Sequence, residues 1–90
     1  MYDIYLEKRV TKYILCCPIK HQNQLRIKIL SLKEEPYPND HKQLKGYRSY
    51  LRVDSGEYRI IYKIDDNSVF IILVGKRNDN EVYKHFARLF

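Results

Sequence analysis

The run Gly56-Glu57-Tyr58-Arg59-Ile60-Ile61-Tyr62, followed by Val69-Phe70-Ile71-Ile72-Leu73-Val74 and then Gly75-Lys76-Arg77, decides how this chain folds. Both runs are dense in β-branched and aromatic residues, the composition of core strands. Arg59 interrupts the first, Lys76 and Arg77 close the second, and Tyr83 comes soon after, in the first turn of a short terminal helix. An apolar strand does not carry a lone cation without a reason. Cations gathered near a phenol suit a phosphodiester, whose oxygens accept charge-assisted hydrogen bonds.

Working backward from this stretch, Ser55-Gly56 as the central pair of a tight turn would set Asp54 opposite Glu57, Val53 opposite Tyr58 and Arg52 opposite Arg59. Leu51, Val53, Tyr58, Ile60 and Tyr62 then share the other face, the side expected to meet the core. Two arginines opposed across a strand pair repel by about 0.2–1 kcal/mol, so the arrangement calls for an anion, and a phosphate is the natural candidate. Working forward, Asp66-Asn67 as a second tight turn pairs Asp65 with Ser68 and Arg59 with Val74, which puts Lys76 on the arginine face. The strand from Val69 to Val74 is apolar on both faces, as a strand central in a sheet is.

The remainder supplies what covers the sheet. Tyr2, Ile4 and Leu6 alternate with Asp3 and Tyr5, a short strand over 2–6. Val10, Tyr13, Ile14 and Cys17 recur at helical spacing within 7–17, and Leu25, Ile29 and Leu32 do so within 18–33, predicting a helical hairpin with one apolar face. Pro18 suits the first turn of the second helix, where its missing N–H is not needed. Lys8, Arg9, Lys12, Arg26 and Lys28 fall mostly off the apolar face and read as a solvated surface. Pro36 and Pro38 end the hairpin, and the polar, basic segment 41–50 reads as a loop leading into the sheet. At the other end Val82, Phe86 and Leu89 make the buried stripe of the terminal helix, capped by Asn78 or Asp79 with Glu81 as the capping partner. Tyr83 lies at the edge of that stripe, about 60° from its middle. The fold class expected is α+β: a small twisted, antiparallel-dominated sheet packed on an N-terminal helical hairpin, with a short C-terminal helix.

Ninety residues are read as one domain spanning 1–90, and 17 Lys and Arg against 11 Asp and Glu leave a formal charge of +6. That excess favours nucleic acid, an acidic protein or another anionic partner. The N-terminal Met1-Tyr2-Asp3-Ile4-Tyr5-Leu6 has no basic leader followed by an apolar stretch, and no segment approaches the roughly 20 apolar residues of a membrane span. A soluble, cytoplasmic protein with no membrane partner is therefore expected. Cys16 and Cys17 are adjacent, so they neither staple a loop nor offer the spaced pairs of a zinc site, and they read as free thiols.

Arg52, Arg59, Lys76, Arg77 and Tyr83 together would make a cationic face with one phenol. Positioned cations stabilise the charge that builds on a phosphorane-like transition state, and RNA brings its own nucleophile in the 2′-hydroxyl. Attack on the adjacent phosphorus yields a 2′,3′-cyclic phosphate and a free 5′-hydroxyl, with no water, metal or cofactor required. Proton transfer is the thin part, because arginine stays protonated and tyrosine ordinarily ionises near pH 10. Of the histidines, His21 in the hairpin and His41 in the polar loop read as surface residues. His85 is about 200° round its helix from Tyr83 and does not face it.

Leu44-Lys45-Gly46, Gly56-Glu57-Tyr58-Arg59-Ile60-Ile61-Tyr62, Val74-Gly75-Lys76-Arg77 and Glu81-Val82-Tyr83 resemble the RelE/ParE toxin superfamily, and the stretch from Gly75 to Tyr83 resembles RelE-type mRNA interferases in particular. The resemblance covers the whole chain in element order, by pattern alone in the N-terminal half. It implies the toxin of a type II toxin–antitoxin system, a ribosome-dependent endoribonuclease that enters the A site and cuts mRNA. It also implies a cognate antitoxin as partner, and contact with operator DNA only through the antitoxin complex. By motif, Arg59 would stabilise the transition state, Arg77 would assist the leaving 5′ oxygen, and Tyr83 would orient the 2′-hydroxyl or stack on a base. Arg52 completes the catalytic set, with Lys45, Arg48, Tyr50, Lys76 and Lys84 as RNA contacts. Where RelE carries two lysines at alternate positions of the first site strand, this chain has Tyr50 and Arg52. Two other readings stand beside this one: a non-enzymatic ParE-like toxin that poisons DNA gyrase, and an inactive RNA-binding or co-repressor relic.

Overall fold

The computed structural model describes residues 1–78 and 81–89, the side chain of Glu81 excepted. Along the chain these form β1 (Asp3–Leu6), α1 (Lys8–Leu15), α2 (Ile19–Ser31), β2 (Lys42–Leu44), β3 (Tyr47–Ser55), β4 (Tyr58–Asp65), β5 (Ser68–Lys76) and α3 (Glu81–Leu89). The strands make one sheet in the order β1-β5-β4-β3-β2, with β1 parallel to β5 and every other pairing antiparallel. The α+β class agrees with the sequence reading, and β5 is an interior strand, flanked by β1 and β4. Pro18 occupies the cap position before α2, one residue ahead of the expected first turn.

Three differences from the sequence reading have local physical causes. The β3–β4 turn centres on Gly56-Glu57, one residue later than expected, because Gly56 adopts a φ of +58° while Glu57 does not follow it to positive φ. A turn of this kind places its glycine first, as in type II′. Asp54 therefore pairs with Arg59, Val53 with Ile60, and Arg52 with Ile61. Moving the turn by one residue shifts each partner by two, so every side chain keeps its face and only its opposite number changes.

The second difference is a bulge. Asp65 pairs with Ser68 and Tyr62 with Ile71 as expected, but the register then shifts at Ile61, which pairs with Leu73. The extra residue in β5 moves Arg59 from Val74 to Gly75, and sets Lys76 opposite Tyr58. Lys76 thus lies on the face of the helical hairpin, and its expected place beside the arginines is corrected. Thirdly, part of the expected loop 41–50 is strand: β2 pairs with β3 through Lys42↔Arg52 and Gln43↔Leu51. A three-residue edge strand held by backbone hydrogen bonds needs no apolar alternation, and only Leu44 of β2 is buried.

Each face of the sheet has its own cover. On one, Val10, Leu25, Ile29 and Leu32 of the hairpin and its exit meet Leu51, Val53, Tyr58, Ile60, Tyr62 and Ile71. Tyr62 is fully buried and donates its hydroxyl to the Pro36 carbonyl at 2.8 Å, tying the proline segment to the sheet. On the other face, Val82 and Phe86 of α3 cover Leu44, Ile61, Ile72 and Leu73. Leu89, expected in the α3 stripe, is 46% exposed. The expected cap of α3 involves Asp79 and the Glu81 side chain and lies outside the described residues. Among the described residues, no helix is long and apolar enough to cross a membrane.

Candidate active site

The corrected β3–β4 register builds the site. Asp54 near the end of β3 and Arg59 near the start of β4 are a directly opposed pair, so carboxylate and guanidinium meet side-on. Arg59 donates from Nε to Asp54 Oδ1 at 2.8 Å and from Nη2 to Oδ2 at 3.4 Å. Its Nη1 donates to the Tyr83 hydroxyl at 2.9 Å, and its Cζ lies 5.5 Å from the centroid of that ring. Arg77 donates from Nη1 to Asp54 Oδ2 at 3.3 Å, while its backbone N–H donates to the Glu57 carbonyl at 3.1 Å. That backbone bond fastens the chain leaving β5 to the β3–β4 turn. Residues 23 and 24 positions apart thereby converge on the same few atoms.

Gly75 brings Tyr83 into reach. It sits opposite Arg59 on β5, and a Cβ there would come within 3.2 Å of Val82 Cβ and 3.3 Å of its backbone nitrogen. Such spacing is tighter than packed cores tolerate without displacement. The missing side chain lets α3 start close against β5, and the next residue along the helix, Tyr83, hangs over Arg59.

Electrostatics reinforce this geometry. The hydrogen bonds from Arg59, with a further contribution from Arg77, hold the Asp54 carboxyl below its ordinary 3.8 despite some burial. The same hydrogen bonds to Asp54 raise Arg59, with Tyr83 adding to the effect, so its guanidinium stays protonated. Exposure is graded across the cluster: 16% for the Arg59 side chain, 32% for Asp54 and 50% for Arg77. The buried end is anchored and the outer end faces solvent.

The structure brings Arg59, Arg77 and Tyr83 together. Arg52 shares their face two residues before Asp54 on β3, opposite Ile61 and beside Lys42 of β2. Lys76 is on the other face with Tyr58, beside Cys17 and His21. Tyr50 is half-buried beneath α3, its ring edge-on to Phe86 at 4.9 Å with Lys63 Nζ 6.0 Å above. Lys45 in the β2–β3 turn, Arg48 on β3 and Lys84 on α3 are exposed. The histidines bond elsewhere: His21 Nδ1 shares a 2.8 Å hydrogen bond with the Tyr58 hydroxyl, His41 Nδ1 lies 2.6 Å from the Pro38 carbonyl, and His85 borders Arg9 and Leu73.

Sequence reasoning missed Asp54 as a partner and Gly75 as a spacer. Arg52 and Arg59, expected to oppose each other and to call for an anion, are not paired; Asp54 faces Arg59 instead and accepts from Arg59 and Arg77. Asp54 shares the β3 parity of Arg52, and this acid on the arginine face was the available signal; for Gly75 it was a glycine inside an apolar strand, which marks a close approach. Among the described residues no three His, Cys, Asp or Glu side chains are grouped to hold a metal ion. The arrangement offers two convergent guanidiniums and one phenol to an incoming oxyanion.

Comparison with known proteins bears on this geometry. The family described as ParE toxin of type II toxin–antitoxin system, parDE, matches residues 5–81. No curated protein sequence matches the chain significantly. Among solved structures, the isolated RelE toxin of E. coli is 25% identical with a TM-score of 0.75, over 98% of this chain and 97% of that one. The archaeal RelE–RelB complex from Pyrococcus horikoshii gives 26% identity and a TM-score of 0.75, over 84% of this chain and 94% of the matched one. The intact E. coli RelBE toxin–antitoxin complex gives 26% and 0.73, over 84% and 96%.

Proposed function

This chain belongs to the ParE toxin family of type II toxin–antitoxin systems, within the RelE/ParE superfamily, and from that premise we propose that it is a ribosome-dependent mRNA endoribonuclease. The observation that carries the reading is the convergence of Arg59, Arg77 and Tyr83, the two arginines joined through Asp54 and Tyr83 accepting directly from Arg59. A surface that only binds a protein has no need to hold a phenol against a buried-end guanidinium.

In the proposed reaction the 2′-oxygen attacks the adjacent phosphorus in line, and the P–O5′ bond breaks. The products are a 2′,3′-cyclic phosphate and a 5′-hydroxyl, with the 2′ proton lost and the 5′ oxygen gaining one. Arg59 stabilises the developing charge on the non-bridging oxygens, and Arg77, more exposed, supports the leaving 5′ oxygen. The Tyr83 oxygen already accepts from Arg59, so its own proton is free to meet the ribose or the leaving group. Arg52 supplies a cation for a flanking phosphate, and Lys45, Arg48 and Lys84 lie outward for the surrounding RNA. With neither lysine nor histidine bonded in the cluster among the described residues, the enzyme depends on the ribosome to hold mRNA in line, an orientation effect that supplies much of a barrier. The cytoplasm, a cognate antitoxin as partner, and operator contact only through that complex follow from the same reading. The solved RelE–RelB assemblies support the antitoxin.

The match to the ParE family favours one second reading, a non-enzymatic toxin that blocks gyrase. Mapping of 5′ ends on a defined mRNA, with and without programmed ribosomes, separates the two. The interferase reading expects cuts only with ribosomes, lost in Arg77→Ala. Absence of cuts by folded parent protein, with gyrase inhibited instead, would give the second reading the field.

A further inference from the structure

Asp54 is a carboxylate placed among the groups that should receive a phosphate, and its geometry says what it does there. It takes the Nε and Nη2 edge of Arg59 and, through Oδ2, also accepts from Arg77. Of the five N–H donors of a guanidinium, Arg59 uses three: two on Asp54 and one on Tyr83. The two left over are both on Nη atoms, at the end of the fork. Without a shared counter-ion, two arginines at this spacing repel and their long side chains splay.

We propose that Asp54 is a positioning residue, clamping the Arg59 and Arg77 guanidiniums so that their free donors converge on one phosphate and the Arg59 fork stays aimed at Tyr83. The catalytic part of this inference rests on the interferase reading; the clamp itself does not. Asp54 is not the general base. Three N–H donors occupy its two oxygens, and a carboxylate so held is a weak proton acceptor. It acts through the arginines.

The clamp has a distinguishing consequence. Two cations and one anion leave the cluster with a single net positive charge, which moderates attraction for ground-state RNA while keeping the donors aligned for the more highly charged transition state. Removing the carboxylate should then strengthen binding and slow the reaction, the mark of a group that works by differential stabilisation. A residue that served folding alone would lower the apparent kcat through loss of native protein and leave KM unmoved.

The test is Asp54→Asn, nearly the same shape without the charge, assayed on programmed ribosomes with kcat and KM separated and folding checked by thermal melting. The expected result is a fall in kcat of about 10²-fold, the cost of a misplaced catalytic group, with KM lowered and the melting transition retained. Cleavage by the variant at or above the parent rate would overturn the clamp and leave the interferase reading standing. A second measurement needs neither cleavage nor a folded variant. In the proton–nitrogen NMR spectrum of the parent, the Arg59 Nε–H should be shifted downfield and slow to exchange. If it exchanges as fast as a free arginine, the inference fails. If the parent never cuts mRNA but this signal is protected, the interferase reading has failed and the clamp has not.

Discussion

The two faces of the sheet make the useful comparison. The hairpin face is sealed at its centre, where Val10, Leu25, Leu32, Ile60, Tyr62 and Ile71 have no exposed surface, with Lys76 at its margin. The α3 face is apolar only in its middle, around Ile61 and Val82, and at the Gly75 end it turns into the ion-paired cluster of Asp54, Arg59 and Arg77. A 90-residue chain has little core to spare. It gathers its stability on one face and keeps the margin of the other, beside a nine-residue helix, for charge. Folding and the proposed chemistry should therefore be separable by substitution.

The strongest challenge to that separation is Leu25→Ala, on the hairpin face. It should cost about 2–5 kcal/mol in chemical denaturation, a large part of a small domain's stability, with the cleavage rate per folded molecule preserved. A slowed folded fraction would break the contrast. Next is Arg59→Lys, which keeps the charge but cannot grip Asp54 side-on and reach Tyr83 together. Cleavage should fall about 10²-fold, close to 2.7 kcal/mol in the barrier, with the melting temperature nearly unchanged. Retained activity would mean that charge alone suffices at this position.

Gly75→Ala tests where the faces meet. The added methyl would sit only 3.2 Å from Val82 Cβ and push α3 outward, so stability should drop by about 1–3 kcal/mol and cleavage should fall as well, since Tyr83 moves with α3. An active, stable variant would show that α3 is not seated by this contact. The smallest effect concerns pH. Asp54 has a folded pKa below its ordinary 3.8, so its ion pairs contribute fully above about pH 4 and are lost as pH falls through the folded value. The stability difference between parent and Asp54→Asn, measured by denaturation, should be flat from about pH 7 to 5 and shrink below about 4. A gap undiminished in acid would show that the carboxylate's charge is not what stabilises.

Much of the fold is legible in the sequence. The alternation Leu51, Val53 with Tyr58, Ile60, Tyr62 identifies the buried face even with the turn misplaced, because a shift of one in the turn changes partners without changing sides. The helical spacing of Leu25, Ile29 and Leu32 identifies the hairpin's inner stripe, and Pro36 marks its end. The arginine–tyrosine set is legible too, as cations out of place in apolar strands. What Arg59 bonds to was not, and neither was the side taken by Lys76.

The sequence by itself thus determined the order of elements apart from the short edge strand β2, the inward faces of β3 and β4, and the arginines and tyrosine proposed to bind a phosphate. These depend on neighbours in the chain, through alternation, helical spacing and the fixed dihedrals of proline. Only the tertiary structure decided the register. A positive φ at Gly56 moved the turn by one residue and set Asp54 against Arg59. An extra residue in β5 turned Lys76 away and placed Gly75 beneath Val82. Partners across a sheet are set by how backbones fit over many residues, and a displacement of one position, almost invisible in the composition of either strand, decides which charges meet.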